Sequence, residues 1–343
     1  MKKLLVSALE PSANLHLKPI LKELGEYELS GIFDEEFGSP LLASKEFSVM
    51  GFLDIFSKLK KAKNAIDKMA RLSLEASHVL LIDSPAFNLP LSQAIRKINK
   101  SVPITWYILP KVWAWKKKRA KKVEKYCTNL ASIFPFEDKF YARAVYVGNP
   151  LLDEIRQAKK SLESSGKIVF MPGSRKSEIK SLMCVFKEVA ARLGKENIIV
   201  IPKHFSAREI DEIYGDLNKF TVSKNAYESL LSAEFAFICS GTATLEAALI
   251  GTPLALCYKA KAVDYFIAKR FVKLKFVGLA NIIFDFYGFK PLHEEFLQSA
   301  VNAENLIREY NNMDKNGYFS RAQKLKEILS HGSSEVVAKI IKI

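Results

Sequence analysis

Ile168-Val-Phe-Met-Pro-Gly-Ser-Arg175 and Phe235-Ala-Phe-Ile-Cys-Ser-Gly-Thr-Ala-Thr-Leu-Glu246 follow one plan: a β-rich apolar run, a turn of small residues, then a helix-length segment. The spacing predicts helices opening near Ser177 and Thr242. Strands that alternate with helix-length segments imply parallel sheets, because a parallel return needs a long crossover. The same alternation runs outward through the chain. Candidate strands are Lys3 to Leu9, Leu29 to Phe33, His78 to Asp83, Ile104 to Ile108, Ser132 to Phe134 and Val145 to Gly148. After a polar joint at Ala158 to Gly166 they resume with Ile168 to Met171, Ile198 to Ile201, Phe235 to Cys239 and Leu254 to Tyr258. The fold class is therefore α/β, with two doubly wound parallel-sheet domains expected over 1–157 and 158–320. The helical-looking C-terminal segment, about 320–343, can pack on either domain. Ligands of such sheets sit beyond the carboxyl ends of the strands, and the cleft between domains is the default site.

With 343 residues the chain exceeds the ~100–200 of a usual domain. Its 49% hydrophobic content, 15 Gly and 13 Pro exclude a disordered or fibrous class. The longest stretches without Asp, Glu, Lys or Arg, Ser84 to Ile95 and Ala247 to Tyr258, fall well short of the ~20 apolar residues of a membrane-spanning helix. The apolar run after Met1-Lys2-Lys3 is too short for a secretory signal, so a cytoplasmic location is expected. Cys127, Cys184, Cys239 and Cys257 show no CxxC spacing, which excludes a zinc finger and leaves small core residues. The net charge of +15 calls for an anionic partner: nucleic acid, an acidic membrane leaflet or a phosphorylated substrate. Residues 1–150 carry 24 Lys+Arg against 15 Asp+Glu, or +9, and the remainder carries +6.

The two turns suit phosphate. A glycine lets backbone N–H groups approach an anion, a helix N-terminus adds partial positive charge, and Arg175 can fork two hydrogen bonds onto a phosphate. Ser174, Ser240, Gly241, Thr242 and Thr244 supply hydroxyls and backbone donors, and Glu246 can accept from a sugar hydroxyl. The plainer readings are a tight turn with a solvated arginine and a first-turn charge on the helix dipole. Neither turn is GxxxxGK[ST] or GxGxxG, which disfavours triphosphate hydrolysis and dinucleotide redox chemistry. Leu80-Leu-Ile-Asp-Ser-Pro-Ala-Phe-Asn88 ends a buried strand in Asp83, which is either a general base for a hydroxyl acceptor or a turn cap. Asp34-Glu35-Glu36 reads as a solvated loop rather than a metal site. Trp113 and Trp115, followed by Lys116, Lys117, Lys118 and Arg119, combine interfacial rings with lysines drawn to anionic headgroups. A nucleic-acid surface or a solvated basic helix would use the same residues. Gly51 to Met69 forms a second basic amphipathic helix, read as membrane-facing or as ordinary packing.

The ordered motifs Glu10-Pro-Ser12, Ser48-Val-Met-Gly51, Ile82-Asp-Ser-Pro-Ala-Phe-Asn88, Val112-Trp-Ala-Trp115, Phe134-Pro-Phe-Glu137, Val147-Gly148, Pro172-Gly-Ser-Arg175 and Ser240-Gly-Thr-Ala-Thr-Leu-Glu246 resemble the lipid-A-disaccharide synthase family along almost the whole chain. The resemblance implies a GT-B architecture of two Rossmann-like domains facing a cleft, with the C-terminal segment returned to the N-terminal domain or exchanged in a homodimer. It implies an inverting glycosyltransferase that joins UDP-2,3-diacylglucosamine to 2,3-diacylglucosamine 1-phosphate, giving the β-1,6 disaccharide and UDP, with no metal or other cofactor. Carried over by position, Asp83 is the base, and Arg175, Glu246 and Asn281 are nucleotide-binding. Glu10, Ser12, His16, Asn88, Ser174, Ser240, Gly241, Thr242 and Thr244 complete the implied substrate contacts. The chain departs from the family pattern at Ala8-Leu-Glu-Pro-Ser-Ala-Asn14, which lacks two glycines and an acid. It also has Ala86 where relatives carry an aspartate, and Gly278-Leu-Ala-Asn281 in place of Ser-Leu-Pro-Asn.

On this reading the enzyme works peripherally on the anionic inner leaflet, where acylated substrates reside, and binds no nucleic acid. Another GT-B UDP-sugar transferase or an epimerase would keep the phosphate turns without needing the lipid-facing patch. A nucleic-acid-binding protein would use the charge but leave the two turns unexplained.

Overall fold

Runs such as His78–Ile82 and Phe235–Cys239 are buried along their whole length, which alternating strands of a half-exposed sheet never are; they suit parallel sheets covered by helices on both faces. A computed structural model of the protein, which describes residues 1–44, 55–162, 164–259 and 274–343, contains two such sheets. The chain forms two units, one of residues 1–154 plus 329–343 and the other of residues 155–328. The motif Ser48 to Gly51 and the start of the second basic helix lie outside the described residues.

The first unit holds β1 (Lys3–Ser7), β2 (Glu28–Phe33), β3 (Leu42–Ala43), β4 (His78–Ile82), β5 (Ile104–Tyr107), β6 (Asn129–Ser132) and β7 (Ala144–Tyr146). They form one parallel sheet ordered β3-β2-β1-β4-β5-β6-β7. The chain runs outward from β1 to β3, then crosses back to β4 on the other side of β1. The order therefore reverses between β1 and β4. The helix Ile55–Leu72 buries Ala65, Met69 and Ala70 in the core beside Ile32, Val79 and Leu91, while Lys60, Lys61, Lys63 and Lys68 stay exposed. The apolar face of residues 60–72 is core, as the packing alternative holds.

The second unit holds β8 (Lys167–Met171), β9 (Glu196–Val200), β10 (Thr221–Ser223), β11 (Phe235–Cys239), β12 (Leu254–Tyr258) and β13 (Glu295–Leu297), ordered β10-β9-β8-β11-β12-β13 and all parallel. Here the order reverses between β8 and β11. Phe170 anchors the core, with the rings of Phe186, Phe220 and Phe237 centred 5.3, 5.3 and 5.4 Å away. These spacings are normal for edge-to-face and offset-stacked aromatic pairs.

The last helix, Ser334–Lys342, packs on the helix Pro11–Leu24 of its own chain. Asp153 caps it, accepting from the backbone N–H groups of Ser333 (2.8 Å) and Ser334 (3.0 Å) and from the Ser334 hydroxyl (2.9 Å). Gly148, at φ +100°, passes so close to the preceding turn that a Cβ would lie 2.1 Å from the Gly332 carbonyl oxygen.

Candidate active site

The reversal points are where crevices open at the carboxyl end of a doubly wound sheet. In the first unit the segments leaving that point are Ala8 to Asn14 after β1 and Asp83 to Asn88 after β4. In the second unit they are Pro172 to Arg175 after β8 and Ser240 to Glu246 after β11. All four were singled out as motifs from the sequence, and the topology assigns each to a reversal point.

Asp83 and Ser84 take left-handed conformations in succession, at φ +48° and +42°, and turn the chain from β4 into the helix Pro85–Ile98. Consecutive non-glycine residues in this region cost of order 1–3 kcal/mol each and survive only where neighbours enforce them. Asn88 does so. Its Nδ2 donates to the Asp83 carbonyl (2.8 Å) and to the Ile82 carbonyl (3.2 Å), and its Oδ1 accepts from the Ser7 hydroxyl at the end of β1 (2.6 Å). Asn88 is fully buried and occupied, so its expected substrate contact is corrected to fixing the Asp83 turn. The Asp83 N–H donates to the Tyr107 carbonyl of β5 (3.0 Å). Burial pushes the Asp83 carboxyl above the usual carboxylate range, opposed by the positive charge of Lys111, the Ser84 N–H and His16. A half-buried carboxylate of raised proton affinity is what a general base for a hydroxyl requires.

Around β1, Glu10 and Ser12 are exposed at the start of the helix Pro11–Leu24, and His16 Nδ1 lies 2.8 Å from Glu154. Asn14 explains the departure from the family pattern. Its Nδ2 donates to the Ala8 and Glu10 carbonyls (both 3.0 Å) while its Oδ1 accepts from the Asp34 N–H (2.8 Å), a set that a carboxylate, lacking donors, cannot supply. Asp34 bonds the Ser44 hydroxyl and Glu36 pairs with Lys18 at 3.1 Å.

In the second unit a pocket of about 270 Å³ opens at the carboxyl ends of β8, β9 and β11. One end is polar, formed by Gly173, Ser174, Ser240, Gly241 and Thr242 together with Glu178. The other is formed by Val200, Ile201, Pro202, Ala226 and Lys224. Gly173 sits at φ +107°, a backbone conformation that other residues adopt only with strain, and a Cβ there would also push on the Glu178 side chain. Arg175 is exposed, with its guanidinium on Glu178 at 2.9 Å. Glu246 is half-buried in the first turns of the helix Thr242–Ile250. Thr244 is buried and its hydroxyl donates to the Gly241 carbonyl (2.8 Å), so it braces the turn rather than meeting a ligand. Lys224 and the apolar wall were not anticipated. The only signal was a Ser-Lys-Asn turn after a weak β run at Phe220 to Ser223.

Two further expectations are corrected. Asn281 is fully buried; its Nδ2 donates to the His293 carbonyl (2.9 Å) and to Glu295 (2.8 Å), and its Oδ1 accepts from the Leu292 N–H (2.7 Å). It knits the helix Leu279–Phe286 to β13 and has no capacity left for a nucleotide. Trp113 is buried against Phe134 and Phe136, with its indole N–H donating to Glu137 (3.0 Å), so it does not face a membrane. Trp115 does lie at the surface, 48% exposed, with the Lys116 ammonium 4.2 Å and the Arg119 guanidinium 5.4 Å from its ring centre. Lys117 and Lys118 are exposed beside it.

Comparison with known proteins agrees with this layout. The family model for Lipid-A-disaccharide synthetase matches residues 4–340. The chain belongs to the lipid-A-disaccharide synthase family. It is 48% identical to the Lipid-A-disaccharide synthase of Campylobacter jejuni (strain RM1221), covering 99% of both chains, and 44% identical to that of Helicobacter pylori (strain G27), covering 98% and 97%. Solved structures of the same fold include MurG of Acinetobacter baumannii (TM-score 0.56, 12% identity, 100% and 99% covered). Another is UDP-GlcNAc 2-epimerase of Neisseria meningitidis bound to UDP-GlcNAc (TM-score 0.61, 10% identity, 100% and 99% covered). Each unit is a doubly wound parallel sheet of the GT-B class, and this lipid-A-disaccharide synthase family member is a glycosyltransferase of lipid A synthesis. No helix among the described residues is long and apolar enough to cross a membrane.

Proposed function

We propose that the protein condenses UDP-2,3-diacylglucosamine with 2,3-diacylglucosamine 1-phosphate by a single inverting displacement. Asp83 takes the proton of the acceptor 6-hydroxyl as that oxygen bonds to the anomeric carbon of the donor. The anomeric carbon–oxygen bond breaks at the same time, and its electron pair leaves on UDP. The Gly173-Ser174 and Ser240-Gly241-Thr242 turns, with the helix N-terminus at Thr242 and the guanidinium of Arg175, carry the negative charge that develops there. Glu246, one turn into the same helix, accepts from a sugar hydroxyl. Exposed Trp115 and the lysines beside it hold the enzyme on the anionic inner leaflet that contains both acylated substrates.

The observation that carries this reading is the coincidence of the four motif segments with the two reversal points. It is supported by the strained, half-buried turn that presents Asp83. Incubating the purified protein with both acylated precursors and analysing the mixture by mass spectrometry is expected to show the disaccharide 1-phosphate and UDP. Asp83→Asn is expected to bind UDP nearly as tightly as the parent while turning over at least ~100-fold more slowly. Full turnover by that variant removes the base assignment, and absence of any disaccharide from the parent protein removes the reaction.

A further inference from the structure

The pocket in the second unit has a direction. Its glycine and hydroxyl turns follow β8 and β11, whereas Val200 to Pro202 end β9 and Lys224 and Ala226 follow β10, two strands away from β8 in the sheet. A nucleoside diphosphate with its phosphates on the turns therefore extends its base over the apolar wall toward Lys224. The backbone on either side of Lys224 is held in place. The Ser223 hydroxyl accepts from the Asn225 N–H (3.1 Å) and from the Ser229 hydroxyl (2.9 Å), and the Asn225 side chain caps the helix Ala226–Ser232 through the Glu228 N–H (3.2 Å). The ammonium itself makes no hydrogen bond or ion pair among the described residues, whereas Arg175 and Lys176, after β8, are each paired with a glutamate. An ammonium offers three donors and no acceptor. The Watson–Crick edge of uracil presents a carbonyl oxygen at C4, where cytosine presents an amino group, itself a donor.

We propose that Lys224 is the residue that selects a uracil over a cytosine nucleotide in this pocket, by donating to the C4 carbonyl of the base. The assignment rests on the reading of the pocket as the UDP-sugar site. Lys224 is exposed, so opposite an amino group the same ammonium keeps its water and gains no bond to the base, and the preference for uracil is the difference made by that one charge-assisted hydrogen bond.

Isothermal titration of UDP and CDP into the parent protein, Lys224→Met and Lys224→Arg tests it, with thermal unfolding checking that each variant folds. The parent is expected to prefer UDP by at least about tenfold, Lys224→Met to bind the two within about threefold, and Lys224→Arg to keep the preference. If Lys224→Met weakens both ligands by the same factor, the ammonium acts on the shared diphosphate and the assignment is overturned. An unchanged preference in Lys224→Met overturns it as well. If the parent binds neither nucleotide, the donor-site reading fails first and takes this inference with it.

Discussion

Glu137 is the side chain whose protonation the structure itself constrains. It is fully buried, and its Oε2 lies 2.7 Å from a Ser132 hydroxyl that is also 2.7 Å from the Phe134 carbonyl. A serine has one proton to donate, so a protonated Glu137 giving its own proton to Ser132 satisfies all three groups at once. Burial accordingly pushes this carboxyl from the usual 4.5 up to about 7. Between those values the folded chain holds a proton that the unfolded chain has lost, so this group's contribution to stability falls as pH rises from about 4.5 to about 7, then levels off. Glu137→Gln keeps an oxygen for the Trp113 indole and an N–H for Ser132 but has nothing to ionise. Urea unfolding is expected to find it close to the parent at pH 5 and more stable at pH 8, by on the order of 2 kcal/mol. Parallel pH profiles for the two proteins would show that Glu137 is already ionised. The same residue shows why Trp113 misled the reading of its neighbourhood. A Trp-Ala-Trp-Lys-Lys-Lys run looks interfacial from composition, and the partner that buries its first indole lies 24 positions away, beyond any local pattern.

At the scale of elements, the long β-rich runs and the small-residue turns after them were legible because both signals are local: apolar β-branched content, then Gly, Ser, Thr or Asp where the chain must bend. The strands β3, β10 and β13, of two to three residues, were missed because they are too short to show a period and exist through pairing with β2, β9 and β12. The sixth strand runs over Asn129–Ser132 instead of Ser132 to Phe134, because Phe134 and Phe136 are drawn inward to pack on Trp113. Asn281 escaped for the same reason as Trp113, since its partners are at positions 292, 293 and 295. The C-terminal helix shows how one side chain can decide an element's place. Asp153 satisfies the N–H of Ser334, the first residue of Ser334–Lys342, and that of Ser333 just before it, donors that a helix start otherwise leaves unpaired. Asp153→Ala is expected to lower stability by about 1–2 kcal/mol and to speed amide hydrogen exchange selectively over 334–342, with Asp153→Asn intermediate. Uniform faster exchange through the first unit would indicate a general loss of stability in place of a lost cap.

At the scale of the whole molecule, a net charge of +15 acts as a field before it acts as contacts, and the question is where it is concentrated. Lys116, Lys117, Lys118, Lys121, Lys122 and Lys125 are all exposed on one short stretch that includes the helix Arg119–Tyr126, whose Ala120 and Val123 face the core. Trp115 stands beside them with two cations against its ring, a pairing that keeps an indole at a wet, charged boundary rather than drawing it inward. Each lysine near an anionic leaflet contributes roughly 1 kcal/mol, so reversing three of them should weaken membrane binding by at least ~100-fold. The protein is expected to float with vesicles containing anionic phosphatidylglycerol at about 0.1 M salt, to stay behind with neutral phosphatidylcholine vesicles, and to lose most, but not all, of its binding as salt approaches 1 M. Lys116→Glu, Lys117→Glu and Lys118→Glu combined should abolish flotation, whereas the same change at Lys22, Lys203 and Lys219 should leave most of it. Equal losses from both triple variants would mean that total charge, not this stretch, holds the protein to the surface. Trp115→Ala separates the remaining contribution: a ring inserted among headgroups leaves binding that resists high salt, and its removal makes the residual association fully salt-reversible.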